Sequence, residues 1–322
     1  KSLLKIRMLP ESGYIISWNL QSGSHYLSIF FKEFIKLEMS AITAAAVKEL
    51  REITGVAMMD CKKALVECNG DLEEAKEFLR KKGQAKALKK SSRETREGAV
   101  EIRVDENHRS GAIIKLACET DFVARNESFK ALLQTLGGQV LSQGSDALME
   151  QQLVDGGGTI QDLINGKVAE LGENMQLLDA ARIEVNQGWV GGYVHMTGKI
   201  GVILGLETEA ASEDPKLQQL AHDLAMHIAA SPAEAVREDQ VDSALIEKER
   251  EVFSAQARES GKPEEIIEKM IEGRIKKFLK EICVETQPFV KDPQKTVGQL
   301  VKEVSKEIGV GIRLESFIKY QF

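Results

Sequence analysis

Two stretches of this chain follow nearly the same plan, and that duplication narrows the fold more than any other feature. Gly111-Ala112-Ile113-Ile114-Lys115-Leu116 parallels Gly201-Val202-Ile203-Leu204-Gly205-Leu206. Ala99–Val104 alternates with period two and reaches the first apolar run, Ala112–Ala117, through a turn at Asn107–Gly111; Gly188–His195 precedes the second run, Ile200–Leu206. Each pair of strands leads into a helical stretch, about Ser128–Leu141 in the first and Pro215–Ala230 in the second. Two β-β-α units predict an α+β fold whose core is a duplicated pair of antiparallel sheets. The units differ where strand joins helix. Thr120-Asp121-Phe122-Val123-Ala124-Arg125-Asn126 joins strand to helix in the first, and the second lacks the Asp-Phe pair. A loop that serves only the fold should survive in both copies, whereas a working loop need exist once.

The flanks read as helical. Residues 42–83 predict three short helices. The first carries a stripe of Ile42, Ala46, Leu50 and Ile53 and ends at Gly55, the second covers Met58–Glu67, and the third is capped by Asp71 and runs through Leu72, Ala75, Phe78 and Leu79 to Gly83. Residues 84–97 carry charge with no apolar face and read as a linker, in part helical. Residues 238–282 predict a helical hairpin broken at Ser260-Gly261-Lys262-Pro263. Ile267, Ile271, Ile275, Phe278 and Ile282 form the seam of an antiparallel coiled coil. A last strand is expected over Ser316–Phe322. The domain plan is then 39–83 as a three-helix module, 84–97 as linker, 98–180 and 181–237 as the two core subdomains, 238–282 as an inserted hairpin, and 283–322 as the rest of the second subdomain.

Residues 1–38 differ in composition. They hold Tyr14, Trp18, Tyr26, Phe30, Phe31 and Phe34 in a chain that is otherwise poor in aromatics, and they show neither a signal-peptide layout nor the Arg-rich, acid-poor character of a transit peptide. From Met39 the sequence turns to Ala, Lys and Glu, so Met39 is the expected biological start and 1–38 an upstream extension. The most apolar stretch, Tyr14–Phe31, is interrupted by Asn19, Gln21, Ser22, Ser24 and His25, so no membrane span is expected.

A formal charge of −7 argues against a general phosphate-backbone binder, and 5% aromatics against a stacking platform for single strands. The basic residues of 84–97 keep a local RNA contact open, with a solvated linker as the simpler reading. Cys61, Cys68, Cys118 and Cys283 make no C-x-x-C pair and read as reduced thiols rather than as disulfides or a zinc site. His222 and His227 lack zinc-helix spacing, Gly156-Gly157-Gly158 is followed by no Lys-Ser/Thr, and no nucleophile elbow or dinucleotide fingerprint is present, so no enzyme chemistry is expected. From the residues alone, Asp121-Phe122 is a helix cap followed by a core aromatic, or else a working loop. The three-helix module alone would also suit a ubiquitin-associated-like adaptor.

Two longer motifs carry a resemblance. Leu50-Arg51-Glu52-Ile53-Thr54-Gly55-Val56-Ala57-Met58-Met59-Asp60-Cys61-Lys62-Lys63-Ala64-Leu65 and Cys118-Glu119-Thr120-Asp121-Phe122-Val123-Ala124-Arg125 resemble the two signatures of the elongation factor Ts family. Met226–Ser231, Glu272-Gly273-Arg274 and Gln287–Val290 add support in the same order along the chain. Ala57, Lys115 and Ala117 depart from the usual family residues but flank the key positions, and relatives usually continue past the position of Phe322 into a short C-terminal module.

The resemblance implies a guanine-nucleotide exchange factor that binds elongation factor Tu in its GDP-bound and nucleotide-free states and allows GTP reloading during translation elongation in the cytoplasm. It implies no resident cofactor or metal, no membrane and no specific nucleic acid, and it leaves open a homodimer or a 2:2 assembly. By the same resemblance, Thr120, Asp121, Phe122 and Val123 enter the partner's GTPase domain and disturb its Mg²⁺ and phosphate site, with Phe122 as the wedge. Residues 39–83 form a module like a ubiquitin-associated domain, which grips that domain through Arg51, Met58, Met59 and Lys62, one methionine being expected to serve the core. Leu171, Gly172, Glu173, Asn174 and His195 touch another domain of the partner.

Overall fold

The computed structural model describes residues 42–154, 156–196, 198–211, 214–258 and 263–322. The extension 1–38, Met39 and the break at Ser260–Lys262 lie outside the described residues. The described chain divides into two units, one ending at Leu79 and one starting at Arg80.

The first unit holds three helices, α1 (Ala44–Thr54), α2 (Met58–Glu67) and the start of α3 (Leu72–Lys90). Thr43 caps α1 by accepting the Ala46 N–H at 3.1 Å, and Gly55 ends it at φ 66°, a conformation that costs a glycine nothing. Asp71 caps α3 by accepting the Glu74 N–H at 2.9 Å. Val47, Leu50, Cys61, Ala64, Leu65, Ala75 and Leu79 form the core. Ile53, expected in it, is 52% exposed and so belongs to the surface. The third helix does not stop at Gly83, nor are residues 84–90 a linker. Ala87 is buried in the core of the second unit, and Gln84 donates to Asp162 at 2.8 Å, so tertiary contacts carry the helix through the glycine.

In the second unit β1 (Glu97–Val104), β2 (Ser110–Cys118) and β3 (Met175–Glu184) make one antiparallel sheet, in that order. Between β2 and β3 run α4 (Asp121–Ala124), α5 (Glu127–Gln143) and α6 (Ile160–Leu171). A second antiparallel sheet contains β4 (Gly188–His195), β5 (Ile200–Thr208) and, after α7 (Pro215–Ala230), α8 (Ser243–Arg258), α9 (Glu264–Ile282), β6 (Pro288–Phe289), β7 (Asp292–Thr296) and α10 (Val297–Ile308), the closing strand β8 (Ile312–Gln321). The α+β architecture is as expected. The sequence pattern does not resolve α6, β3 or α10, and the last strand starts four residues earlier than expected, at Ile312.

The two sheets are superimposable in register. Gly98 pairs with Ala117 and Gly188 with Glu207, each residue of the second pair standing 90 positions after its counterpart. Ser110 pairs with Glu184 and Ile200 with Gln321, so β8 stands 137 positions after β3. The bulges also match, falling between Lys115 and Leu116 in one sheet and between Gly205 and Leu206 in the other. α6 and α10 share the 137-residue spacing. Each begins with a threonine capping box, at Thr159 and Thr296, and ends at a left-handed glycine, Gly172 and Gly309. The growth of the offset from 90 to 137 gives the second copy 47 additional residues, which accommodate α8 and α9.

Alternation sets the layers. Ala112, Ile114, Leu116 and Cys118 face α5, with Phe129, Leu132 and Leu136. Their counterparts Val202, Leu204 and Leu206 face α7, with Leu217, Leu220 and Leu224. Ile113 and Ile203 point the other way and meet between the sheets, with Val100, Ile183 and Val190. A one-residue slip of β2 would exchange these faces, so burial on both sides pins the register. Each hairpin turn also clasps the other copy: Val190 N–H donates to His108 O and Val100 N–H to Gly198 O, both at 2.7 Å.

α8 and α9 pack through Ile246, Phe253 and Ala257 against Ile267, Ile271, Ile275 and Leu279. Leu279, rather than the expected Phe278, continues the four-residue stripe. All four cysteines are buried thiols. Among the described residues no helix is long and apolar enough to cross a membrane.

Candidate functional site

The connection after β2 is built from its first residue outward. Thr120 is the N-cap of α4, accepting the Val123 N–H at 3.4 Å. Glu173, half-buried, holds this cap from behind: the Thr120 N–H donates to Oε2 at 3.0 Å and the Thr120 hydroxyl to Oε1 at 2.6 Å. Hydrogen bonds to a charged acceptor contribute about 1.5–3 kcal/mol each, so this is the firmest tie on the loop. The Cys118 thiol donates to Thr120 O at 3.2 Å, and burial with the Glu173 charge nearby pushes it up to about 12, which keeps it a neutral donor.

The single turn that follows divides its side chains. Val123 packs against the helix-side core and Ala124 is buried, while Phe122 is 82% exposed, the most exposed large apolar side chain among the described residues. This overturns the reading of Asp121-Phe122 as a cap followed by a core aromatic. The cap is Thr120, and the phenylalanine has no core to fill. Asp121 faces solvent and pairs with Arg125 at 3.1 Å. Asn126 then caps α5, accepting the Ser128 N–H at 2.8 Å, so the loop is bounded by a cap at each end.

The segment Leu171–Asn174 is brought to the same place. Gly172 ends α6 at φ 82°, and its carbonyl accepts the Lys90 ammonium. Asn174 is 4% exposed. Its backbone N–H donates to Glu119 at 2.6 Å and its side chain to Arg93 O at 2.8 Å, while Arg93 pairs with Glu119 at 3.4 Å. The basic stretch read as a solvated linker therefore supplies two of the loop's braces, Lys90 and Arg93. Sequence reasoning misses their part, and that of Glu119, because the partners are 26 to 82 residues away and nothing local marks them.

His195 stands elsewhere, half-buried at the end of β4, with its Nδ1 2.9 Å from the Tyr193 hydroxyl; Tyr193 in turn meets His222 edge to face. In the first unit Arg51 and Lys62 are exposed, Met58 is 41% and Met59 64% exposed, so neither methionine serves the core, contrary to the expectation for one of them.

A family model described as elongation factor TS matches residues 119–322, more than half of the chain. Elongation factor Ts of Clostridium botulinum strain 657 is 44% identical over 284 residues, covering 87% of this chain and 92% of the relative. The proteins of the same name from Clostridium acetobutylicum and Clostridium perfringens strain SM101 are also 44% identical at the same coverage.

Proposed function

The chain belongs to the elongation factor Ts family, and we propose that the loop Thr120–Val123 is the element with which it discharges GDP from elongation factor Tu. It is a guanine-nucleotide exchange factor of translation elongation, and no bond is made or broken on it. The observation that carries the reading is Phe122, 82% exposed on a turn braced from both sides. A phenylalanine left in water gains about 1.5–3 kcal/mol when a partner buries it. That gain is available only in a complex with a pocket for the ring. If the pocket opens when nucleotide and Mg²⁺ are lost, the ring selects the nucleotide-free state and the exchange factor weakens GDP binding. Asp121 brings a carboxylate beside the ring, where it would disturb a cation held by phosphate. Thr120 and Val123 hold the turn.

The rest of the assignment follows from this one. The three-helix module is read as ubiquitin-associated-like, and Arg51, Met58, Met59 and Lys62 as its grip on the GTPase domain. Two exposed methionines suit an adaptable contact. Leu171, Gly172, Asn174 and His195 are assigned to the partner-facing side of the core, while the Glu173 carboxylate turns back onto Thr120. The α8–α9 pair is assigned as an antiparallel coiled coil on its four-residue isoleucine stripe. The chain is assigned to the cytoplasm on its function, and its partner states are GDP-bound and nucleotide-free elongation factor Tu, with a homodimer or 2:2 complex as the assembly to test by light scattering.

The test is release of a fluorescent GDP analogue from elongation factor Tu. The wild-type protein accelerates release, and Phe122→Ala loses at least about tenfold of that acceleration, the equivalent of 1.4 kcal/mol. Equal acceleration by both proteins would move the mechanism to other contacts.

A further inference from the structure

Glu173 emerges from the duplication as a residue with a purpose of its own. The register that relates the two copies assigns each residue of the first corner a counterpart in the second. Glu119 corresponds to Glu209 and Asn174 to Gly311, and both corners are tied: Asn174 N–H donates to the Glu119 carboxylate at 2.6 Å, and Glu209 N–H to Gly311 O at 3.0 Å. These pairs tie strand to helix end in both copies, through a side chain in the first and through backbone in the second. By the same register Thr120 corresponds to Ala210 and Glu173 to Val310. Neither can supply the Thr120–Glu173 bonds: alanine has no hydroxyl and valine no carboxylate. The second corner has the same strands and the same helix cap at Gly309, and it closes instead through the Ser305 hydroxyl, which donates to Val310 O at 2.7 Å. A corner of this kind can therefore be closed without a carboxylate. The carboxylate occurs where the chain carries an exposed phenylalanine on a one-turn helix.

We propose that Glu173 is a positioning residue for nucleotide exchange: it locks Thr120, and through that cap the turn that presents Phe122, from inside this chain rather than by touching the partner. The inference rests on the assignment of Thr120–Val123 as the exchange loop. A four-residue helix makes few bonds of its own, and its orientation depends on what holds its ends. Glu173 engages both donors of the N-cap residue, and Val123 anchors the next side of the turn in the core. With the N-cap fixed, Phe122 approaches the partner without first losing the freedom of a loose loop, and that ordering is settled before the encounter.

The experiment compares Glu173→Gln, Glu173→Ala, Thr120→Ala and the pair Thr120→Ala/Glu173→Val, which writes the second corner's residues into the first. Phe122→Ala is run beside them. Each is measured for GDP release at saturating protein, for affinity toward nucleotide-free elongation factor Tu, and for hydrogen exchange of the amides of 120–124 in the free protein. We expect Glu173→Ala to lower the saturating release rate about tenfold with a smaller loss of affinity, and to deprotect the loop amides. Glu173→Gln recovers part of both. Adding Glu173→Val to Thr120→Ala costs nothing further, since the two residues act through one contact. Unchanged amide exchange in Glu173→Ala, or a loss confined to affinity, overturns the proposal in favour of a direct partner contact. Full release by Phe122→Ala would instead strike at the assignment of the loop, while the amide exchange would still report whether Glu173 holds it.

Discussion

Phe122 and Val123 are neighbours on one helical turn with different surroundings, the ring 82% exposed and the valine packed against the core. That contrast lets the chain display a large apolar group without loosening the segment that carries it. It also separates stability from function at adjacent positions. Phe122→Ala should leave the urea midpoint within the equivalent of about 0.5 kcal/mol, as for an exposed substitution. Val123→Ala should cost about 1 kcal/mol and deprotect the loop. A melting shift larger for Phe122→Ala than for Val123→Ala would show that the ring is structural after all.

Gly98 and Gly188 occupy the same position in the two copies, at φ 153° and 145°. A Cβ on either would lie 2.3 Å from Leu116 O and 1.8 Å from Leu206 O, the carbonyls at the two bulges. Both the backbone conformation and the missing side chain are needed, because the carbonyl of the paired strand stands where a Cβ would go. Each Gly→Ala change should cost on the order of 3 kcal/mol, whereas Gly138→Ala, whose Cβ would meet open space within a helix, should be neutral or stabilising. Chemical denaturation of the three variants checks the contrast.

His227 joins two segments that are 63 residues apart. Its Nδ1 accepts the Val290 N–H at 3.2 Å and its Nε2 faces Gln287 Oε1 at 2.8 Å, which fits a neutral ring with the proton on Nε2. Burial lowers its pKa from the usual 6.5, and the Gln287 bond only partly opposes this. The unfolded chain therefore binds a proton that the folded chain resists. The neutral ring's contribution is complete above about pH 6.5 and is lost as pH falls from there through the depressed folded value, by at most about 1.4 kcal/mol per pH unit. Unfolding free energies of wild type and His227→Asn between pH 7.5 and 5.5 should converge as pH falls. Parallel curves would contradict the assignment.

Ile271 lies 8% exposed in the seam between α8 and α9, in a cluster separate from those of the sheets. Ile271→Ala should remove about 2–4 kcal/mol from the helix pair and open its amides to hydrogen exchange, leaving those of β2 and β5 protected. Uniform deprotection would mean that the pair and the core unfold as one.

What the sequence reveals, and what it hides, follows from the range of the interactions. The two strand pairs and their helices are legible because alternation and helical spacing are local, and the asymmetry at Asp121-Phe122 points to the loop without any geometry. The end of α3 is not legible. Gly83 is a sound stop signal, overridden by the burial of Ala87 and the bonds to Asp162. β3 escapes notice because its faces do not alternate cleanly, with Asp179 and Arg182 along it, and its place depends on β2. Resemblance singles out Glu173 as a partner contact, yet nothing in the sequence tells that its carboxylate turns inward to Thr120, 53 positions away.

In the proposed mechanism, Phe122 gains its burial chiefly in the nucleotide-free complex. The direct measurement is the ratio of the affinities for nucleotide-free and GDP-bound elongation factor Tu, by calorimetry with wild type and Phe122→Ala. Because coupling is reciprocal, that ratio equals the factor by which the exchange protein weakens GDP. Wild type should strongly prefer the nucleotide-free partner, and Phe122→Ala should narrow the preference about tenfold or more, with a small change in affinity for the GDP-bound form. An equal loss of affinity for both forms, with the ratio intact, would contradict it and make Phe122 an anchor rather than a wedge.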